Sequence, residues 1–295
     1  MTSHIGILGM GAIGSLMAFH WRELTTFAVQ RDGTPCRRTL IDQNNAAHPL
    51  TLPAWQGEDL DWLVVCTKAA DTLSALQTLA PALGAIERIL LIQNGMGQQQ
   101  QVANWLAKQK HQPELWVGSS TEGAYRQTDN VVVYAGVGQT VIGSWHDQQQ
   151  ADDIALPNTM LVDNMHERLI SKLAVNAVIN PLTAHYRCRN GELLSNEQRA
   201  SHLQQLAEEV EALYLALAWP LPSPWLPYVR GIAHATAHNR SSTLQDILAG
   251  RPHELSYING YLQTFAQQQD IAMPKHDELI AVLSIKPLDL SDHNH

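Results

Sequence analysis

The segment Gly9-Met10-Gly11-Ala12-Ile13-Gly14 constrains this chain more than any other part of it. It follows the apolar run Ile5-Gly6-Ile7-Leu8 and opens the stretch Ile13 to Leu24, which reads as a helix. A strand, a G-x-G-x-x-G turn and a helix in that order form a phosphate-binding turn. The first glycine permits the tight turn, the second lets the backbone approach a pyrophosphate, and the third lets the helix pack on the strand. Free N–H groups at the positive end of the helix then hold the phosphates. All six residues, Gly9, Met10, Gly11, Ala12, Ile13 and Gly14, are candidate cofactor contacts. A glycine turn without a ligand is the plainer alternative, and the strand-to-helix context argues against it. The uncharged run Ile5 to Phe19 is neither a signal peptide nor a membrane span on this reading: no Lys or Arg precedes it, it is short, and it contains four glycines.

The rest of the first half continues the same pattern. Phe27–Gln30, Trp62–Cys66 and Ile89–Ile92 read as buried strands, and Thr72–Leu83 and Gln98–Lys108 as helices. Continuous apolar strands separated by helices predict a parallel sheet covered on both faces. Val131–Tyr134 and Thr140–Ile142 read as a hairpin closing this half. After about Asn164 strand-like runs give way to helical patterns over His166–Tyr186, Glu197–Ala218, Trp225–Ala237 and His253–Gln269. At 295 residues the chain fits two domains. The predicted fold is α/β plus all-α. A Rossmann dinucleotide-binding domain spans 1–164, a helical substrate and catalytic domain spans 165–295, and the active site lies in the cleft between. The tracts Gln98–Gln101, Gln148–Gln150 and Gln267–Gln269 read as solvated surface.

The end of the second strand bears on the choice of nucleotide. An acid there suits the ribose hydroxyls of NAD, whereas an arginine suits the 2′-phosphate of NADP. Arg31 falls at that point, with Asp32 beside it, and Lys68 after the strand at 63–67 adds a second cation. Both also read as ordinary surface charges; together they favour NADPH. Asp32 is expected to point away from Arg31 if both are extended.

Lys172, Asn176 and Asn180 stand at i, i+4 and i+8 on an otherwise apolar helix, within an arc of roughly 80°. Burying such a stripe costs on the order of several kcal/mol unless it is paired or faces a cleft. A cleft holding a polar substrate resolves the conflict; a hydrogen-bond network between domains is the alternative. A partly buried lysine has a lowered pKa and can donate a proton while stabilising an alkoxide, the chemistry of carbonyl reduction by hydride. Pro181 inside the pattern predicts a kink or a split. Asn94, in Gln93-Asn94-Gly95-Met96-Gly97, ends a predicted parallel strand, where ligands of α/β folds bind. Taken alone, Ser241–Asp246 reads as a helix cap and Glu254 as a solvated acid.

The composition excludes other classes. A net charge of −9 without a basic run argues against nucleic acid as a partner. Cys36, Cys66 and Cys188 are odd in number and widely spaced, which excludes a disulfide framework or a cysteine zinc site and fits the cytoplasm. His234 and His238 have metal-ligand spacing but lack the accompanying glutamate and a third ligand, so no metal is expected.

Taken together, GILGMGAIG, IQNGMG from Ile92, KLAVNAVINPLTA from Lys172, NGEL from Asn190, SSTLQD from Ser241 and ELSYINGYL from Glu254 resemble the ketopantoate reductase (2-dehydropantoate 2-reductase) family. The resemblance runs from Gly6 to about Ala281. It implies NADPH-dependent reduction of 2-dehydropantoate to pantoate in pantothenate and coenzyme A synthesis. It implies Lys172 as proton donor, and Asn176, Asn180, Asn190 and Ser242 as substrate ligands. Asn94 is placed between nicotinamide and substrate, and Glu254 helps to hold both. Gly9 to Gly14, Arg31, Lys68 and Ala124 correspond to NADP contacts. Glu122, two residues before Ala124, departs from the pattern of many members. A different NADP-dependent 2-keto or β-hydroxy acid dehydrogenase is the near alternative, and a non-catalytic NADP-binding regulator the remote one. The expected partner is a small molecule, without nucleic acid or membrane, and the expected state is monomer or homodimer.

Overall fold

The computed structural model describes residues 3–146 and 156–288; the Gln148–Gln150 tract lies outside the described residues. The chain divides into two compact units, one formed by the described parts of 1–93 and 99–165, the other by 94–98 and 166–288.

In the first unit a seven-stranded sheet contains β1 (His4–Leu8), β2 (Thr25–Val29), β5 (Leu60–Val65), β6 (Ile86–Leu91), β7 (Glu114–Ser120), β10 (Thr140–Ser144) and β11 (Thr159–Leu161), in the order β11-β10-β7-β6-β5-β1-β2. The strands from β2 to β7 run parallel, and β10 joins β7 antiparallel. The order reverses at β1, which lies between β2 and β5, so the topological switch point falls at the carboxyl ends of β1 and β5.

A second sheet, in the order β4-β3-β9-β8, contains β3 (Cys36–Ile41), β4 (Ala47–Leu52), β8 (Gly123–Arg126) and β9 (Val131–Gly136). This sheet explains the apolar character of α1 (Ala12–His20). Leu16, Met17 and Ala18 pack in one core with Ile5 and Ile7 of β1 and with Leu40, Leu50 and Val132 of the second sheet. The helix is covered on two sides and needs no polar face.

The second sheet also corrects the expected hairpin. Val131–Tyr134 belongs to β9, which pairs with β3 and β8, whereas Thr140–Ile142 belongs to β10, which pairs with β7 and β11. The glycine-rich link between them passes the chain from one sheet to the other. Helix ends differ as well. α1 stops at His20 rather than Leu24, and α2 (Ala69–Gln77) gives way to a 3-10 turn at Ala80–Ala85, where Pro81 has no N–H to continue an α-helix. The helix expected from Gln98 is α3 (Gln98–Leu106), and its opening tract is not solvated surface as expected, since Gln98 and Gln99 are buried.

The second unit is helical: α4 (Met165–Tyr186), a 3-10 turn at Asn190–Leu194, α5 (Glu197–Ala216), α6 (Trp225–Ala235), α7 (Ser242–Leu248), α8 (Leu255–Gln268) and α9 (Pro274–Val282). From Leu169 to Ala184 every residue of α4 is buried or partly buried. The helix is not split at Pro181. A proline leaves the carbonyl four residues earlier without its usual donor. That carbonyl belongs to Ala177, and the side-chain amide of Asn259 on α8 donates to it at 2.8 Å. Among the described residues no helix is long and apolar enough to cross a membrane.

Candidate active site

The glycine turn leaves β1 and enters α1 with Gly11 as N-cap, and no side chain among the described residues caps that end. A Cβ on Gly9 would meet Thr67 N at 2.7 Å, so this glycine lets the turn lie against the exit of β5. A Cβ on Gly11 would meet nothing within 4 Å. Gly11 is thus not required by protein packing. It lines open space beside uncapped helix N–H groups, which fits a phosphate approaching the backbone.

Arg31 is exposed in the turn that follows β2, and Lys68 is the N-cap of α2. Arg31 and Asp32 are not extended, since β2 ends at Val29 and a turn closes through Gly33 N–H to Gln30 C=O. The expected alternation therefore does not operate. The Asp32 carboxylate instead accepts from the N–H and hydroxyl of Thr34 at 3.2 and 2.9 Å, bonds that hold its pKa down and direct the acid into its own loop. Ala124 is on β8, paired with Tyr134, and packs against the α1 core.

Glu122 has a structural task that the sequence does not reveal. Its carboxylate accepts from the Tyr134 hydroxyl at 2.6 Å and the Thr140 hydroxyl at 3.0 Å, and lies 2.8 Å from Nε2 of His20 at the end of α1. Burial raises its pKa, but the His20 and Tyr134 bonds outweigh that and leave it lowered. The phenol of Tyr134 is pushed up to about 12 by burial and by the same carboxylate.

In the second unit the chain brings two groups of predicted residues together. Asn94 clusters with this unit rather than with the sheet that ends just before it. The Asn94 amide donates to the Glu254 carboxylate at 3.4 Å, and Met96 N–H bonds to Tyr257 C=O at 2.8 Å. Gly95 is required here. Its φ is +85°, and a Cβ would lie 2.5 Å from the Tyr257 carbonyl. Glu254 is 8% exposed at the start of α8, not a solvated acid. Lys172 is partly buried on α4; desolvation lowers its pKa to about 8, and the Glu254 carboxylate resists part of that fall.

The second group surrounds the end of α4. Asn180 is buried and Asn176 partly so. The hydroxyls of Thr183 and Ser241 bond at 2.7 Å, and Ser241 caps α7 by accepting from Leu244 N–H at 3.1 Å. The cap reading of this segment thus holds for Ser241, while Ser242 opens the helix with an exposed side chain. Asn190 is buried, and its amide donates to the Thr236 hydroxyl at 2.9 Å. His234 and His238 are exposed, and among the described residues no group of three or more His, Cys, Asp or Glu side chains is placed to hold a metal.

Two residues escaped the sequence reading. Asn259 completes the hydrogen bonding of α4 at Ala177, and the signal for it was Pro181, which leaves the Ala177 carbonyl without its helical donor. Arg38 lies beside the glycine turn, where its guanidinium Nη2 donates to Met10 C=O at 3.4 Å.

Comparison with known proteins decides the family. The profile of the ketopantoate reductase PanE/ApbA family matches residues 5–147, and that of its C-terminal region matches residues 164–286. The chain belongs to the ketopantoate reductase family. It is 35% identical to the 2-dehydropantoate 2-reductase of Shigella flexneri over 96% of this chain and 94% of that one. It is 32% identical to the 2-dehydropantoate 2-reductase of Vibrio cholerae serotype O1, covering 98% of each chain. Among solved structures, the probable 2-dehydropantoate 2-reductase of Bacillus subtilis superposes with a TM-score of 0.76 at 26% identity, over 95% of this chain and 99% of that one.

Proposed function

We infer that this protein is an oxidoreductase that reduces the C2 ketone of 2-dehydropantoate to the alcohol of pantoate with NADPH, within pantothenate and coenzyme A biosynthesis. The observation that carries this reading is the family match through both halves of the chain, with relatives of that activity at 32–35% identity along nearly their whole length. The open space at Gly11 beside an uncapped helix end supports a dinucleotide there.

NADPH supplies the hydride. The turn from Gly9 through Met10, Gly11, Ala12 and Ile13 to Gly14 binds its pyrophosphate. Arg31 and Lys68 take the 2′-phosphate, and Ala124 is a further contact to the dinucleotide. Lys172 gives its proton to the C2 oxygen as negative charge develops there, and its positive charge stabilises that oxygen beforehand. A lysine lowered to about 8 is still mostly protonated at neutral pH yet gives up its proton more readily than an exposed one. Glu254 keeps the ammonium charged and, with Asn94, orients the nicotinamide side. Asn176, Asn180, Asn190 and Ser242 bind the carboxylate and hydroxyl groups of the substrate. The protein acts in the cytoplasm as a monomer or homodimer, with Cys36, Cys66 and Cys188 as free thiols.

The test is NADPH oxidation with a panel of 2-keto acids. Turnover should be fastest with 2-dehydropantoate. Faster turnover of another keto acid would move the chain to a different dehydrogenase activity, and NADPH binding without turnover of any would leave a regulator.

A further inference from the structure

Strand β3 breaks its own pattern. Side chains alternate along a strand, so Cys36, Arg38 and Leu40 share one face. Cys36 and Leu40 are 2% and 0% exposed in the core around α1. An arginine between them stands where an apolar residue belongs, and such departures concentrate at functional positions.

The surroundings of Arg38 do not neutralise it. Its guanidinium Nη1 donates to Arg37 C=O at 2.8 Å and to the Asn130 side-chain oxygen at 3.2 Å, and Nη2 reaches Met10 C=O. All three acceptors are uncharged, and among the described residues the buried Nε has no hydrogen-bond partner. Asp32 and Asp42, the carboxylates flanking β3 in sequence, are engaged with Thr34 and with His48. A partly buried cation without a counter-charge is costly unless an anion joins it.

We propose that Arg38 is a specificity-determining residue for NADPH, a cation that binds the 2′-phosphate together with Arg31. This rests on the cofactor reading above and extends it by one residue. Two observations favour the 2′-phosphate over the pyrophosphate. The pyrophosphate already has the helix N–H groups at Gly11 to neutralise it. The short loop that carries Arg31 starts at the end of β2, where the adenosine ribose of a dinucleotide lies, and leads directly into β3 and Arg38.

The experiment measures dissociation constants by calorimetry for NADPH, NADH, 2′,5′-ADP and 5′-AMP, with the wild type, Arg38→Ala and Arg38→Gln. The glutamine variant keeps an amide donor for Met10 C=O and removes the charge, so it decides the matter if the alanine variant does not fold. Charge-assisted bonds to phosphate set the expected size. NADPH and 2′,5′-ADP should each bind at least about tenfold more weakly to both variants, and NADH and 5′-AMP should change less than about threefold. Equal weakening of all four ligands would mean that Arg38 merely supports the turn, and unchanged binding that it is an ordinary charge; either overturns the proposal. A wild type that does not prefer 2′,5′-ADP to 5′-AMP would defeat the cofactor reading and this proposal together, a failure visible before any variant is made.

Discussion

Helices α1 and α4 are both apolar almost all round, yet they offer chemistry in different places. α1 is buried between two sheets and presents its amino end, where Gly11 leaves space and, among the described residues, no side chain caps the N–H groups. α4 is buried or partly buried from Leu169 to Ala184 and carries Lys172, Asn176 and Asn180 along its side. A helix end supplies fixed partial positive charge and holds an anion without proton transfer. A helix side supplies groups that titrate. The difference suits a division of labour in which α1 holds the cofactor and α4 carries out acid chemistry on the substrate.

The largest effect should come from α4. Lys172→Ala removes the proposed acid, and loss of a positioned general acid costs about 10²–10⁴-fold. kcat should fall at least about 100-fold with 2-dehydropantoate, while NADPH affinity stays within about twofold of wild type. Retention of more than a tenth of wild-type kcat in single-turnover reactions would break the division at its central point.

Asn259→Leu probes the support of that helix. The variant leaves the buried Ala177 carbonyl unpaired, which costs about 1–3 kcal/mol. Urea unfolding should show a loss of that size. Wild-type stability would mean that the 2.8 Å bond does not compensate Pro181. The smallest effect expected is at the end of α1. Gly11→Val places a branched side chain in open space, at a φ of −79° available to any residue. Thermal stability should barely change, while NADPH affinity falls at least about tenfold as the side chain takes the place of the phosphate. Unaltered affinity would detach the cofactor from this turn.

Legibility in the sequence followed the strength of local pattern. The turn at Gly9–Gly14, the parallel strands β1, β2, β5 and β6 and the helical second half were readable because glycine spacing and hydrophobic period are local properties, whereas the parallel strand β7 was missed. β3 and β4 were not: CRRTLI and AHPLTL mix charge, histidine and proline with apolar residues, and only the pairing partners make them strands. Pro49 is tolerated because β4 is an edge strand. At the candidate site the stripe on α4 was visible from spacing. The burial of Glu254 was not, because the groups it meets, Asn94 and Lys172, are far away in sequence. Asn259 was hidden for the same reason, since its partner is a backbone carbonyl 82 residues earlier.

The division between the two helices is tested most directly by the pH dependence of single-turnover reduction in the wild type and in Lys172→Ala. The Lys172 pKa in the folded protein is lowered to about 8 from an ordinary 10.5. The protonated form donates, so the wild-type rate should be flat below that value and fall about tenfold per pH unit above it. In Lys172→Ala the slow residual rate should lose that descending limb. An unchanged descending limb near pH 8 in the variant would contradict the account, because the titrating acid would then lie somewhere other than on the side of α4.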